Sequence, residues 1–207
     1  MLSIYCAPTF NALKIVLIAE EAGLDYQYIE LDMLAGEHKS PEHMDRHVLG
    51  KVPAIMHDEK PLFESAAICR YLAKIAESDL YPSDTYQAAV VDQWLDLMAS
   101  HIGRWLSVFY FNEYIKPLFF KEQPDMAEIE EANNFLEEQL PAIEKQLTDN
   151  AFLAGDTLSI ADFFAFAYFQ TQEKTSVYLD AYPHIVKWYN SIKARPSVAK
   201  ANALVKC

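Results

Sequence analysis

The sequence predicts two successive domains of different class: an α/β domain over residues 1–77 and an all-helical domain over residues 86–207. In the first, short strand-like runs alternate with helical runs, which is the pattern of βαβ units. In the second, apolar residues recur with the helical period of about 3.6 residues, and no strand pattern is found. Residues 78–85 between them contain Pro82 and several Ser and Asp residues, a composition typical of a linker.

The first domain has the predicted element order β-α-β-α-β-β-α. The strand-like runs are LSIYC, YQYIEL, PAIMH and PLFE, and the helical ones are NALKIVLIAEEAG, a polar segment containing SPEHMDRH, and SAAICRYLAKIA. Gly23 just after the first helix is a typical helix stop, and the turn HDEKP separates the last two strands as in a hairpin. We therefore expect a parallel βαβ unit that ends in an antiparallel hairpin.

The helical domain is predicted to contain helices over 86–116, 125–147, 159–172 and 183–194. Ser159 and Asp162 have the Ser-x-x-Asp spacing of a capping box, with Asp in place of the usual Glu or Gln. A buried helix start needs such a cap, so we expect this pair to be structural.

Composition argues against several classes of function. The formal net charge of -13 disfavours binding to nucleic acid or to anionic membranes, because both require basic surface. No run approaches the roughly 18 apolar residues of a spanning helix, and no secretory signal is recognisable, so a cytoplasmic protein is expected. Cys6, Cys69 and Cys207 are widely spaced and form no CxxC pair, which indicates neither a metal site nor a disulfide framework.

The run GKVPAI places Pro53 at the start of a predicted strand. Proline cannot donate to a sheet, and an X–Pro bond is the one peptide bond that is cis at small cost. A cis Val52–Pro53 bond would turn the backbone N–H and C=O of Val52 outward, where an extended peptide could pair with them. The alternative, favoured by the rarity of cis bonds, is an ordinary trans proline on an edge strand.

The run LFESAAICRYLA places Glu64 and Ser65 where a strand gives way to a helix. A carboxylate and a hydroxyl then lie beside free backbone N–H groups. Glu64 can take an ammonium group, while Ser65 and the helix N-terminus can take an adjacent carboxylate, so the pair can hold a zwitterion. The alternative is that Ser65 is only a helix N-cap, a position that favours serine.

These segments together resemble the glutathione S-transferase family over nearly the whole chain. AGLDYQYIELDMLAGEHKSPEHM and LGKVPAIMHDEKPLFESAAICRYLA are similar to the family's thioredoxin-like domain, closest to the phi and theta classes, and FLAGDTLSIADFFAF is similar to its helical-domain signature. The resemblance implies an α/β thioredoxin-like domain followed by an all-α helical bundle, in a homodimeric, cytosolic protein of bacterial type.

The resemblance also implies a glutathione site in the first domain. Val52, joined to Pro53 by a cis bond, would pair with the cysteinyl backbone of glutathione, and Glu64 and Ser65 would hold its γ-glutamyl end. The glycyl carboxylate would lie among His38, Lys39 and Lys51. The segment 36–51 is rich in basic side chains and gives a local field suited to an anion. Its other basic residues, His43, Arg46 and His47, are expected to be solvated surface residues.

Family members activate the glutathione thiol with a hydroxyl or a cysteine near the start of the first helix. Counting back from EEAGLDY, the phi and theta serine and the omega cysteine fall on Thr9, the beta-class cysteine on Asn11 and the alpha-type tyrosine on Tyr5; none falls on Cys6. Thr9 can donate a hydrogen bond to a thiolate, and Asn11 is expected to share this role. Cys6 closes a strand and is expected to be a buried, apolar-like thiol.

A hydrophobic second substrate is implied as well. The run RWLSVFYFNEYIKPLFF supplies aromatic side chains on a helix that, in the family's architecture, faces the cleft between the domains. We expect Tyr110, Phe111 and Tyr114, with Phe10 from the first domain, to contact the electrophile. The alternative for such aromatic residues is the helical core.

The predicted function is therefore conjugation of glutathione thiolate to a hydrophobic electrophile, with glutathione as cosubstrate and no metal. One alternative is a glutathione-dependent thiol–disulfide oxidoreductase or peroxidase with Cys6 as nucleophile. Another is a non-catalytic, transferase-like binding module similar to the stringent-starvation regulators. The intact Lys51, Glu64 and Ser65 argue against the second, but fold alone does not decide function.

Overall fold

The computed structural model describes residues Met1–Cys207 and contains two compact units. One consists of Met1–Pro82 together with Ala194–Cys207, and the other of Ser83–Lys193. The predicted order, an α/β region followed by helices, is confirmed. Ala194–Cys207 lies with the α/β unit rather than with the helices that precede it in the chain.

The first unit contains a four-stranded sheet in the order β2-β1-β3-β4. Its strands are β1 (Leu2–Cys6), β2 (Gln27–Glu30), β3 (Ala54–His57) and β4 (Lys60–Phe63). β1 is parallel to β2 and antiparallel to β3, so that Ile4 lies opposite both Tyr28 and Ile55. β3 and β4 form an antiparallel hairpin whose turn residues, Asp58 and Glu59, both have positive φ. The predicted βαβ unit with a terminal hairpin is confirmed.

The helices α1 (Phe10–Glu21) and the short α2 (Pro41–Met44) connect strands, with a 3-10 turn at Glu37–Lys39, and α3 (Ser65–Ile75) follows β4. α1 is buried without interruption from Ala12 to Ala19, as expected for a helix that is apolar on nearly all sides. The start of α1 is therefore held rigidly at the end of β1.

The second unit begins with a long helical stretch. α4 (Thr85–Leu97) continues through a π-helical turn, Met98–Ile102, into α5 (Gly103–Phe109), and the chain remains π-helical over Tyr110–Phe120. The predicted helix over 86–116 is thus present and slightly longer. Gly103 is needed at the first π-helical turn, because a Cβ there would lie 2.4 Å from the Met98 carbonyl oxygen and 2.6 Å from the Tyr168 ring.

The remaining helices of this unit are α6 (Met126–Asp149), α7 (Ile160–Phe169) and α8 (Pro183–Lys193), with a 3-10 segment at Gln170–Lys174. α7 is buried along its whole length, and the predicted capping box at its start is confirmed. Asp162 accepts hydrogen bonds from the Ser159 and Leu153 N–H groups, both at 2.9 Å, and from Trp188 Nε1 at 3.0 Å. Burial nevertheless raises the pKa of this carboxyl, which makes it a structural group of the core.

The chain ends in α9 (Pro196–Val205), which packs against α1 in the first unit. The Glu21 carboxylate at the end of α1 accepts hydrogen bonds from the Arg195 guanidinium, with Nε at 3.2 Å, and from the Ser197 hydroxyl. Burial alone would raise the pKa of Glu21, but these donors lower it. This contact explains why the last helix belongs with the α/β unit. No helix of the structure is both long and apolar enough to cross a membrane.

Candidate active site

The chain passes from β1 to α1 through Thr9, which is the N-cap residue of the helix. Its backbone is extended (φ -144, ψ 155), and its Oγ1 accepts a hydrogen bond from the Ala12 N–H at 3.2 Å. A threonine hydroxyl can accept and donate at the same time, so capping leaves its proton for another acceptor. The half-buried Thr9 hydroxyl therefore lies at a helix N-terminus with donor capacity, as the sequence suggested.

Asn11, in the first turn of α1, is held by a buried lysine that the sequence analysis missed. Lys14 Nζ donates to Asn11 Oδ1 at 2.7 Å and lies 5.0 Å from the centre of the Phe10 ring. The Lys14 side chain has no exposed surface. Burial lowers its pKa well below the usual range, although the Cys69 thiol and the Glu64 carboxylate oppose this. The sequence could have indicated this buried lysine, because Lys14 is the only charged residue within NALKIVLIA.

Cys6 lies at the end of β1 with no exposed surface, which confirms the expectation of a buried thiol. Burial raises the pKa of this thiol, and the Glu30 carboxylate adds to the effect. A protonated, inaccessible thiol cannot act as a nucleophile. Tyr5, the preceding residue, is half-buried, with the Arg46 guanidinium 4.0 Å from the centre of its ring.

The basic segment 36–51 folds back on itself beside the start of β3. Lys39 Nζ donates to the Leu49 carbonyl at 2.7 Å, which fixes this side chain across the loop. Gly50 has φ 54, and a Cβ there would lie 2.6 Å from the His38 carbonyl oxygen. Within this loop the Nδ1 atom of His38 is buried without a partner, and Lys51 is exposed.

Two histidines of this segment are buried, so the expectation that they are solvated was wrong. His43 has no exposed surface, and its Nε2 lies 2.8 Å from the Lys51 carbonyl oxygen. His47 is 4% exposed, its Nδ1 accepts from the Leu49 N–H at 3.2 Å, and burial lowers its pKa. Arg46 is also mostly covered, with 13% of its side chain exposed. Spacing alone could not show this, because the covering groups come from elsewhere in the fold.

The Val52–Pro53 peptide bond is cis, which confirms the implication of the resemblance. Pro53 is buried and Val52 is half-buried. Val52 lies outside the register of β3, which begins at Ala54. The His43 ring lies within hydrogen-bond distance of the Lys51 carbonyl oxygen and thereby supports the backbone that precedes β3.

Glu64, not Ser65, is the N-cap residue of α3, so the alternative that Ser65 serves as an N-cap is wrong. The Glu64 backbone has φ 70 and ψ 112, a conformation that is costly for a residue with a Cβ. No side chain caps the helix, and the first hydrogen bond of α3 runs from the Ile68 N–H to the Glu64 carbonyl at 2.9 Å. An exposed carboxylate, a half-buried hydroxyl and uncapped N–H groups thus lie together at this helix start.

In the second unit, the predicted electrophile residues lie on the π-helical segment Tyr110–Phe120. Phe111 is 43% exposed, whereas Tyr110 is 5% exposed and its ring centre lies 5.1 Å from that of Tyr114. Lys174 Nζ donates to the Tyr114 hydroxyl at 3.2 Å. Tyr110 is therefore part of the packing of this unit, while Phe111 and the half-buried Tyr114 reach its surface.

The buried Asn112 holds this aromatic segment in place. Its Nδ2 donates to the Val108 carbonyl at 3.1 Å and to Glu128 Oε2 at 2.9 Å. Its Oδ1 accepts from Lys116 Nζ at 2.7 Å and from the Asp125 N–H at 3.0 Å. The hydrogen bonds of this amide are therefore satisfied, and they join the π-helix to the start of α6.

Comparisons with known proteins agree with this architecture. The family models described as glutathione S-transferase N-terminal domain and C-terminal domain match residues 2–74 and 98–196. A probable glutathione S-transferase GSTF2 from Oryza sativa subsp. japonica is 35% identical over 201 residues, which cover 96% of this chain and 94% of that protein. The glutathione S-transferase 1 of Zea mays is 35% identical over 203 residues, with the same coverage of 96% and 94%.

Among solved structures, a glutathione S-transferase I bound with lactoylglutathione is similar, with a TM-score of 0.92 at 34% identity; the match covers 98% of this chain and 99% of that chain. These relatives support the phi- or theta-like resemblance, but the expectation of a bacterial-type member is not borne out, since the two curated relatives are plant proteins. Because both family models match and the rice and maize proteins are similar over nearly their whole length, the chain belongs to the glutathione S-transferase family.

Proposed function

We propose that the protein is a glutathione transferase that joins the sulfur of glutathione to an electrophilic carbon of a hydrophobic compound. The observation that carries this proposal is the start of α3, where the N-cap residue Glu64 makes no side-chain capping hydrogen bond and lies, with Ser65, beside the first N–H groups of the helix. A carboxylate and an adjacent set of donors are complementary to the ammonium and carboxylate of a γ-glutamyl group. Glu64 would take the ammonium, and Ser65 with the backbone N–H groups would take the carboxylate.

The loop before β3 would bind the rest of glutathione. Val52, next to Pro53, would pair with the cysteinyl backbone, because its peptide groups lie outside the register of β3. Lys51 is exposed and would meet the glycyl carboxylate together with His38. Lys39 would contribute charge at this end, although its ammonium is already hydrogen-bonded to Leu49.

Thr9 would donate a hydrogen bond from its hydroxyl to the sulfur, which favours the thiolate over the thiol. Asn11 would supply a second donor from the same helix turn. The thiolate then attacks the electrophilic carbon, a C–S bond forms, and the leaving group departs with the bonding electron pair. The thiol proton passes to solvent, and the enzyme contributes mainly proximity and thiolate stabilisation.

The electrophile would be apolar. Phe111 and Tyr114 present aromatic surface on the second unit, and the buried Tyr110 supports them. Phe10 is the corresponding candidate on the first unit. A solved glutathione S-transferase I from maize, similar to this chain with a TM-score of 0.90 at 34% identity, is in complex with an atrazine glutathione conjugate. By this likeness we propose aromatic or heteroaromatic electrophiles for the present protein. We also propose that the protein acts as a cytoplasmic homodimer.

The test is a conjugation assay with a nitro-activated aryl chloride, which releases chloride as the thioether forms, together with calorimetric titration of glutathione. The proposal expects saturable glutathione binding and a thioether product. Binding without turnover on a panel of aryl halides, enals and organic peroxides would favour the binding-module alternative. An oxidoreductase would instead form a mixed disulfide between a protein thiol and glutathione, visible by intact mass, and the burial of Cys6 argues against that result.

A further inference from the structure

Lys14 is a lysine in the centre of an apolar helix, and its side chain has no exposed surface. Removing an ammonium or amine from water costs several kcal/mol unless it gains partners, and a methionine would fill a similar volume at no such cost. Lysines on helices ordinarily extend their end groups to solvent. The Lys14 amine instead lies inside the protein, against the first turn of α1, so a favourable interaction there must offset the cost of its burial.

The amine lies against the two residues that follow Thr9. Its Nζ donates to Asn11 Oδ1 at 2.7 Å and lies 5.0 Å from the Phe10 ring centre. An asparagine amide has an acceptor end and a donor end, and a rotation of the amide exchanges them. With the oxygen held by Lys14, the NH₂ end of Asn11 must point away from the lysine.

We propose that Lys14 is a positioning residue of the thiol site, which holds the amide oxygen of Asn11 so that only the amide donors face the sulfur of glutathione. The proposal rests on the function proposed above and adds to it the group that orients Asn11. Without Lys14, the Asn11 amide could rotate and present its oxygen to the sulfur. An oxygen lone pair would repel a thiolate, whereas an N–H group stabilises it.

The same interaction would serve whether the lysine is charged or neutral, since both forms carry N–H donors. Other charged groups near the amine are Glu64 at the start of α3 and the Cys69 thiol of the same helix. Glu64 belongs to the proposed γ-glutamyl site, so a change at Lys14 must be checked for an effect on glutathione binding as well as on the thiol.

The experiment compares Lys14→Met, Asn11→Ala and the double variant with the wild type. Lys14→Met should leave the glutathione dissociation constant within about twofold, while the pKa of the bound thiol rises and kcat at neutral pH falls by about tenfold, less than the loss of a whole donor. The thiolate is followed by its ultraviolet absorbance against pH. Because both residues act through one amide, the double variant should be no slower than Asn11→Ala.

Cys69→Ala is the matched control, since Cys69 Sγ contacts the Lys14 backbone carbonyl at 3.7 Å rather than the amide of Asn11 that the proposal invokes. It should perturb the packing around Lys14 without shifting the thiol titration. A Lys14→Met protein with wild-type titration, or a double variant slower by the product of both single effects, would overturn the proposal. A fall in activity explained only by a lower melting temperature would overturn it too.

Should Lys14→Met fail to fold, Asn11→Asp carries the test. A carboxylate oxygen can still accept a hydrogen bond from the Lys14 amine, so this contact is kept, but the side chain no longer has an N–H donor for the sulfur. The proposal then expects a raised thiol pKa and a lower kcat at a melting temperature that shows the variant to be folded; an unchanged titration would contradict it. If the wild type itself shows no thiolate on binding glutathione, the proposed function fails, which is a different result from failure at Lys14.

Discussion

The Thr9 hydroxyl accepts a hydrogen bond from the Ala12 N–H at 3.2 Å, so the group proposed to stabilise the thiolate also caps α1. Because one oxygen has both roles, removing it should lower activity and stability together. The two effects are distinguished by measuring unfolding for the cap and thiolate titration for the donor.

Thr9→Val keeps the shape and branching of the side chain but deletes both the hydrogen-bond donor for the thiolate and the N-cap acceptor of α1. We expect the pKa of bound glutathione to rise and kcat at neutral pH to fall by up to about 10²-fold, as on losing one preorganised donor. Loss of the cap should also reduce the free energy of unfolding by about 0.5 to 2 kcal/mol. Thr9→Ser is the control and should retain both properties. The measurements are thiolate absorbance against pH, conjugation rates and urea unfolding; wild-type titration in Thr9→Val would eliminate Thr9 as the donor.

Lys51→Ala should weaken glutathione binding by about 1.5 to 3 kcal/mol, the range for a hydrogen bond to a charged group. High salt should weaken binding by the wild type more than by this variant, because salt screens an exposed charge pair. Lys60→Ala removes another exposed charge, from β4, and serves as the control. Calorimetry at low and high salt decides the matter, and equal affinity in the Lys51 and Lys60 variants would remove Lys51 from the site.

Cys6→Ser should leave conjugation nearly unchanged, because the buried thiol is protonated and inaccessible. The new hydroxyl would be buried at the end of β1, and an unsatisfied one costs about 1 to 3 kcal/mol of unfolding free energy. Cys6→Ala avoids this polar group and should be the more active and more stable of the two at elevated temperature. Rates and urea unfolding test this. A Cys6→Ser protein that is folded but inactive would move the chemistry to the cysteine.

Glu144 on α6 makes stability depend on pH in the acid range. It accepts from the His184 and Ile185 N–H groups at 3.0 to 3.1 Å and lies 2.7 Å from His184 Nδ1. Burial would raise the pKa of this carboxyl, but these donors lower it. A lowered pKa in the folded state stabilises the fold above the pKa of an unfolded glutamate, about 4.3, and the effect is lost as pH falls through the lower, folded value.

Glu144→Gln should therefore lower the free energy of unfolding at neutral pH by about 1.5 to 3 kcal/mol, and the difference from the wild type should shrink as the pH falls below about 4. Glu138→Gln makes the same charge change at an exposed position of α6 and should have little effect at any pH. Urea unfolding at a series of pH values measures both. A difference that stays constant with pH would show that the carboxylate charge is not what stabilises the start of α8.

Much of the fold could be read from local patterns because those patterns arise from short-range physics. Strand alternation, the helical period and the turn at Asp58–Glu59 involve neighbouring residues, and they predicted the element order and the sheet pairing correctly. The capping box of Ser159 and Asp162 spans three residues and was predicted for the same reason.

The residue types of the candidate site could be predicted from the sequence, but the burial of each side chain could not. Glu64 and Ser65 were identified from their place at a strand-to-helix junction and Thr9 from the family resemblance, and all three lie at helix starts as expected. Whether a side chain is covered depends on segments that are distant in the sequence. His43 and His47 were misjudged for this reason, since a short polar segment has no local feature that indicates what packs over it.

The sequence by itself determined the α/β and all-helical character of the two parts and the order of strands and helices, and it led us to propose a zwitterion site beside a thiol. Only the tertiary structure decided that α9 packs against α1 and that Arg195 pairs with Glu21. It also decided that Lys14 contacts the first turn of its own helix and that the Cys6 thiol is buried and inaccessible. The physical reason is that burial and ion pairing are set by contacts between residues far apart in the chain, here 174 positions for Glu21 and Arg195. Local periodicity carries no information about such contacts.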